Sequence, residues 1–192
     1  MYAFLLSTAV IFVAELGDKS QLMALTFATR YTIRQVLIGI TVATAVVHLA
    51  SVAIGALIGN AFASTQWIIN ILAGLAFLAF AAWTLRGDEL SDEEATKVQR
   101  SSGWAILAVG GAFFLAELGD KTMLATITLA TKEGWFGTWV GSTLGMVLAD
   151  AIAIGLGVWL GRKLPERATR IFGTVAFVVF GVLLIGQGLL SR

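Results

Sequence analysis

Two six-residue runs carry most of the chemistry in this 192-residue chain, ELGDKS at Glu15–Ser20 and ELGDKT at Glu117–Thr122. Each sets two carboxylates, an ammonium and a hydroxyl inside a stretch that is otherwise apolar. Two further ionisable groups, His48 and Asp150, also stand in apolar surroundings. Carboxylates, hydroxyls and freed backbone carbonyls are ligands for hard cations such as calcium, magnesium or manganese. The chain has no cysteine, which removes disulfides, thiolate ligands and thiol redox chemistry. Met23 and Met123 serve equally well as lipid-facing or packing residues, so a soft metal finds no dedicated sulfur.

At helical spacing the Glu and Asp of each motif share one face, with the lysine beside them. Glu15, Asp18, Glu117 and Asp120 are therefore the first candidates to meet a cation. Lys19 and Lys121 are expected to tune their field or gate the site. Ser20 and Thr122 are additional ligand candidates, and Thr126 lies nearby. Gly17 and Gly119 either let the backbone unwind and turn carbonyls inward or allow close helix packing. Asp150 and His48 are candidates for proton transfer. Histidine titrates near neutrality, although a lone buried histidine also serves as an ordinary hydrogen-bonding residue. No residue is assigned a catalytic role, and the chain is not read as an enzyme. An intramembrane aspartyl protease needs two aspartates sharing one proton, whereas each motif aspartate here adjoins a lysine.

These groups are costly where they stand. On an insertion scale an ionised group at a helix centre costs ~2.5–3.5 kcal/mol, so five acids and two lysines amount to roughly 17–25 kcal/mol before pairing. That rivals the net stability of a whole domain. The groups must face one another or a wet cavity. Salt bridges that only hold helices together, Glu15 with Lys19 and Glu117 with Lys121, would leave acids in surplus. The four motif acids and two lysines carry a net −2, which one divalent cation or two protons neutralise.

The elements that position these residues are membrane helices. The chain is 58% hydrophobic and only 13% charged, about half the charge of a soluble domain, so its natural solvent is lipid. No basic stripe suggests nucleic acid. A span needs ~20 mainly apolar residues, and six segments qualify: Ala3–Phe27, Val36–Ile58, Trp67–Leu85, Trp104–Ala130, Phe136–Leu160 and Ile171–Leu190. The first apolar run holds Glu15 and Asp18 and has no basic residue before it, so it is expected to be a retained helix and not a signal peptide. Arg86–Arg100 is a charged linker with room for a helical turn at Ser91–Gln99, and the single Pro165 falls in a short polar segment. Trp67, Trp83, Trp104 and Trp135 lie near span ends, as interface anchors do. Small-residue spacings at Ser51/Gly55/Gly59, Gly137/Gly141/Gly145 and Gly157/Gly161 suit tight helix contact.

Internal repetition organises these spans. Phe12–Arg30 and Phe114–Lys132 are identical at 11 of 19 positions at an offset of 102. The register continues through Gly39/Gly141, Gly55/Gly157 and Gly59/Gly161, and it pairs His48 with Asp150. The expected fold is an all-α integral membrane protein, six transmembrane helices forming two three-helix repeats: residues 1–86, a charged linker 87–103, and 104–192. Because three is odd, the repeats must be inverted relative to each other, an arrangement that places binding sites near the bilayer midplane. Nine basic residues (Arg30, Arg34, Arg86, Lys97, Arg100, Arg162, Lys163, Arg167 and Arg170) fall on one side, against Lys132 and Arg192 on the other. The nine-residue side is expected to be cytoplasmic and both termini non-cytoplasmic.

The two motifs, one per three-helix half, fit E-x-G-D-[KR]-[ST]. In this the whole chain resembles the Gdt-type cation exchangers of bacterial, chloroplast and Golgi membranes. The resemblance implies export of manganese or calcium from the cytoplasm in exchange for protons. It makes Glu15, Asp18, Glu117 and Asp120 cation ligands and requires no cofactor beyond the transported ion. Eukaryotic members often carry an extra N-terminal segment, and its absence here points to the bacterial inner (plasma) membrane. The expected partners are lipid, the divalent cation and protons, with no nucleic acid; a homo-oligomer is compatible with the sequence. The competing reading is an exporter of a cationic organic solute such as a basic amino acid. It needs aromatic walls beside the acids, which the motif helices do not supply.

Overall fold

A computed structural model describes residues 1–86, 104–160 and 166–191. The expected linker 87–103, with the turn expected at Ser91–Gln99, and the segment holding Arg162, Lys163 and Pro165 lie outside the described residues. Those described are all-helical: α1 Tyr2–Glu15, α2 Lys19–Ala28, α3 Ile33–Ala61, a 3-10 turn Ala63–Thr65, α4 Gln66–Arg86, α5 Ala105–Glu117, α6 Lys121–Ala130, α7 Trp135–Leu160 and α8 Glu166–Leu190. Four of them, α3, α4, α7 and α8, are long and apolar enough to cross a membrane, while α1 and α5 are shorter apolar helices.

The first and fourth predicted spans are each two helices in line. The i, i+3 face drawn through each motif therefore does not exist. Helix α1 stops at Glu15 and α2 starts at Lys19; α5 stops at Glu117 and α6 starts at Lys121. Gly17 and Gly119 adopt φ of 78° and 80°, the left-handed region that costs other residues about 1–2 kcal/mol. A side chain at Gly119 would meet nothing within 4 Å. Unwinding, not close packing, is what this glycine provides.

Elsewhere glycines do set helix contacts, and they reveal direction. A Cβ on Gly39 of α3 would stand 3.0 Å from the Ile106 carbonyl oxygen in α5, and one on Gly55 would run into the Ile127 carbonyl in α6. Helix α3 thus runs parallel to the α5–α6 line. In the same way α7 lies on α1 at Gly137 against Ala3 and at Gly145 against Thr8, then on α2 at Gly157 against Leu25. Each long second helix of one half follows the broken helix of the other. Helices α4 and α8 pair in the opposite sense: Gly74 faces Gly181 while Gly188 faces Trp67. Phe77, Phe80, Phe177 and Phe180 interlock there, with neighbouring ring centroids 5.8–6.1 Å apart.

Two apolar clusters result. One joins Met23 and Phe27 of α2 to Val109 and Phe113 of α5, with α3 and Ile154. The other joins Val10 and Ile11 of α1 to Ala125 and Leu129 of α6, with Phe77, Met146 and Phe177. Each cluster takes one piece of each broken helix, so the two motifs fall between two apolar plugs. The outer surface is also apolar, with Leu57, Leu107 and Val182 each more than half exposed. Such a surface suits lipid contact and not water.

Candidate cation site

Where a helix breaks, backbone groups lose their intrahelical partners, and side chains take their place. The Gly17 N–H donates to Gln21 Oε1 at 2.8 Å, and Gln21 Nε2 donates in turn to the Ala149 carbonyl at 3.0 Å. At the equivalent place the Gly119 N–H donates to Met123 Sδ at 3.2 Å. Gln21 was not singled out in the sequence, although an amide in an apolar helix where the repeat has Met123 is a legible signal. Asp18 and Asp120 are the N-caps of α2 and α6, where the positive ends of the helix dipoles favour carboxylates.

The acids of both motifs are buried: Glu15 and Glu117 at 0% exposure, Asp18 at 1% and Asp120 at 4%. One oxygen from each of Glu15, Asp18 and Asp120 lies within 4.8 Å of the others, a spread that one cation can bridge. Glu117 stands outside that trio but within electrostatic range of Glu15, Asp18, Asp120 and Asp150. Within each motif the hydroxyl serves the glutamate. Ser20 Oγ donates to Glu15 Oε2 at 2.5 Å and Thr122 Oγ1 to Glu117 Oε2 at 3.0 Å, which leaves Oε1 of both glutamates without a hydrogen-bond partner. These oxygens can accept a proton or a cation.

Helical spacing sets the lysines beside the acids of their own motifs, and the structure pairs them with the other motif. They cross over: Lys121 Nζ stands 2.5 Å from Asp18 Oδ1 and Lys19 Nζ 3.9 Å from Asp120 Oδ1. Once the helix is broken, i and i+4 no longer share a face, and each ammonium reaches the facing motif. Asp150 is buried at 0%, with neither carboxylate oxygen hydrogen-bonded, and lies within electrostatic range of Glu15. His48 is equally buried and neither ring nitrogen has a partner. Thr126 Oγ1 is likewise buried without a partner.

Comparison with known proteins decides the family. The sequence matches the family described as "Divalent cation/proton antiporter GDT1" over residues 3–92 and 105–191. The chain belongs to the GDT1 family. It is 30% identical to "GDT1-like protein sll0615" of Synechocystis sp. over 199 residues, 94% of this chain and 95% of the relative. It is also 30% identical to a Vibrio cholerae protein named "Putative manganese exporter" over 190 residues, covering 96% and 88%. A third relative, "GDT1-like protein 2, chloroplastic" of Oryza sativa, is 30% identical across 93% of this chain and 59% of its own length. No solved structure matches the chain. For a GDT1 member, a family of cation/proton antiporters and not of enzymes, a buried carboxylate cluster built from two helix breaks is a site that protons and a cation can both occupy.

Proposed function

We infer that this GDT1 protein exports a divalent cation from the cytoplasm in exchange for protons, with manganese the foremost cargo and calcium the other. The carrying observation is that Glu15, Asp18 and Asp120, drawn from both motifs, can bring one oxygen each within 4.8 Å of one another. Glu15, Asp18, Glu117 and Asp120 act as cation ligands, with Ser20 and Thr122 orienting the glutamates. Lys19 and Lys121 set the field without touching the ion, and Asp150 relays protons. Crowded acids hold protons when the metal is gone, and a hard cation displaces them. That competition is the physical basis of exchange. The match to the Vibrio cholerae protein named "Putative manganese exporter" supports manganese.

The parallel course of α3 with α5–α6, of α7 with α1–α2, and the antiparallel α4/α8 pair support six spans in two inverted repeats, residues 1–86 and 104–192 joined by a cytoplasmic linker 87–103. The nine-to-two basic asymmetry supports termini outside the cytoplasm of a bacterial inner membrane.

The test is flux of manganese and calcium into proteoliposomes under an imposed pH gradient, with lumenal pH followed at the same time. Cation movement coupled to opposite proton movement is expected. A basic amino acid carried in place of either metal, with the metals inert, would turn the assignment to a cationic organic solute.

A further inference from the structure

His48 is the only histidine in the chain, and the internal symmetry sets it opposite Asp150. Their levels can be read from the packing. Gly157 lies against Leu25, and seven residues earlier on each helix stand Asp150 and Asp18. The Gln21 bond to the Ala149 carbonyl marks the same level. Gly55 lies against Ile127, and seven residues earlier stand His48 and Asp120. So His48 flanks the second motif as Asp150 flanks the first. Their faces are set one turn away, where Thr44 Oγ1 of α3 donates to Met146 Sδ of α7 at 3.2 Å. Thr44 and His48 share a face by i, i+4 spacing, and so do Met146 and Asp150. Both residues therefore look inward to where α3 and α7 meet.

A neutral imidazole carries one N–H and one lone pair. Leaving a buried polar group unpartnered is unfavourable, yet both nitrogens of His48 lack a partner at 0% exposure. Asp150 is in the same condition. Both residues stand at the level of the motif carboxylates, fully buried. The two halves offer different atoms there, oxygen from one and nitrogen from the other. Calcium and magnesium take oxygen ligands; affinity for a nitrogen-containing site rises along the first-row divalent ions from manganese upward, and manganese accepts an imidazole beside carboxylates more readily than calcium or magnesium does.

We propose that His48 is a nitrogen ligand of the transported cation and discriminates a first-row transition ion, manganese among them, from calcium and magnesium. This rests on the transport reading above and names the residue that sets its selectivity. The probe is manganese bound to the purified full chain in detergent, prepared without a polyhistidine tag and measured by pulsed electron paramagnetic resonance. Nitrogen-14 modulation of imidazole type is expected. It should convert to nitrogen-15 frequencies after labelling with [15N]histidine and vanish in His48→Gln. With one histidine in the chain, the labelled wild type decides the matter even if the variant does not fold. In liposomes His48→Asp, which gives both halves a carboxylate, should lower the manganese-over-calcium preference about tenfold or more, the range in which altered metal shells change affinity. Bound manganese without imidazole coupling overturns the assignment of His48 and leaves the transport reading intact. Failure of the wild type to bind manganese overturns the assignment of His48 together with manganese as the cargo, and turns the transport reading to calcium.

Discussion

Lys121 of the second motif is locked to Asp18 of the first, 2.5 Å between Nζ and Oδ1, while the counterpart Lys19 stands 3.9 Å from Asp120. The tighter pair is also the drier one: Lys121 keeps 4% of its side chain exposed and Lys19 keeps 18%. Two nearly identical motifs thus make unequal ion pairs.

That inequality predicts unequal costs. Removing one partner of a buried pair strands the other and costs about 3–5 kcal/mol. The Lys19–Asp120 pair is longer, and its lysine keeps more contact with solvent, so losing it should cost less. Lys121→Ala is expected to lower thermal stability in detergent well below the wild type, and Lys19→Ala only slightly. Lys121→Arg should recover part of the loss. Equal melting temperatures for the two alanine variants would contradict the structural asymmetry.

Neutralising either glutamate should stop most transport. Glu15 is one of the clustered acids, and Glu117 presents an open Oε1 within electrostatic range of them. Glu15→Gln and Glu117→Gln keep the shape and the hydroxyl contacts but remove a charge and a proton site. Manganese flux in proteoliposomes is the measurement. Full flux in either variant would show that the two motifs do not share one site.

Metal affinity should rise with pH. A cation must displace protons held by the clustered carboxylates, so binding releases protons and weakens as protons become abundant. Titration of manganese at several values from about pH 6 to 8 should give a steadily falling dissociation constant, with proton release detectable in weak buffer. A constant value across that range would separate proton binding from the metal site.

The helix breaks can be tested through Gly119, where a methyl group has free space but φ is 80°. Ala there should cost about 1–2 kcal/mol from backbone strain alone. Asn, which tolerates this region better, should cost less. Melting temperatures are expected in the order Gly, Asn, Ala; an alanine variant as stable as the wild type would mean the break does not need a left-handed residue.

Orientation is open to chemical labelling, since the chain has no cysteine. Ser191→Cys should react with an impermeant thiol reagent from outside intact cells, and Ser91→Cys should react only after the membrane is opened. The reverse pattern would place the basic side outside.

Much of this protein was legible in its residues alone. Long apolar runs with little charge mark helices bound for lipid, because backbone polar groups there must be satisfied within the helix. The repeat at an offset of 102 set Glu117 and Asp120 in positions equivalent to Glu15 and Asp18. Chemistry followed from ligand type, since a chain without cysteine but with buried carboxylates points to a hard cation. The resemblance to cation exchangers agreed with the family the chain belongs to.

What residue spacing could not decide was who meets whom. Helical periodicity assumes an unbroken helix, and it paired each lysine with its own motif. One left-handed glycine per motif voids that assumption, for it ends one helix and starts another within three residues. The lysines then cross to the opposite half, and Glu117 stands apart from the trio that Glu15, Asp18 and Asp120 form. Likewise Gln21 found its role only through Ala149, 128 residues away. Local sequence determines helix, break and charge, because those depend on neighbours along the chain. Only packing of one half against the other brings the carboxylates together, because that distance depends on glycine contacts between helices far apart in sequence.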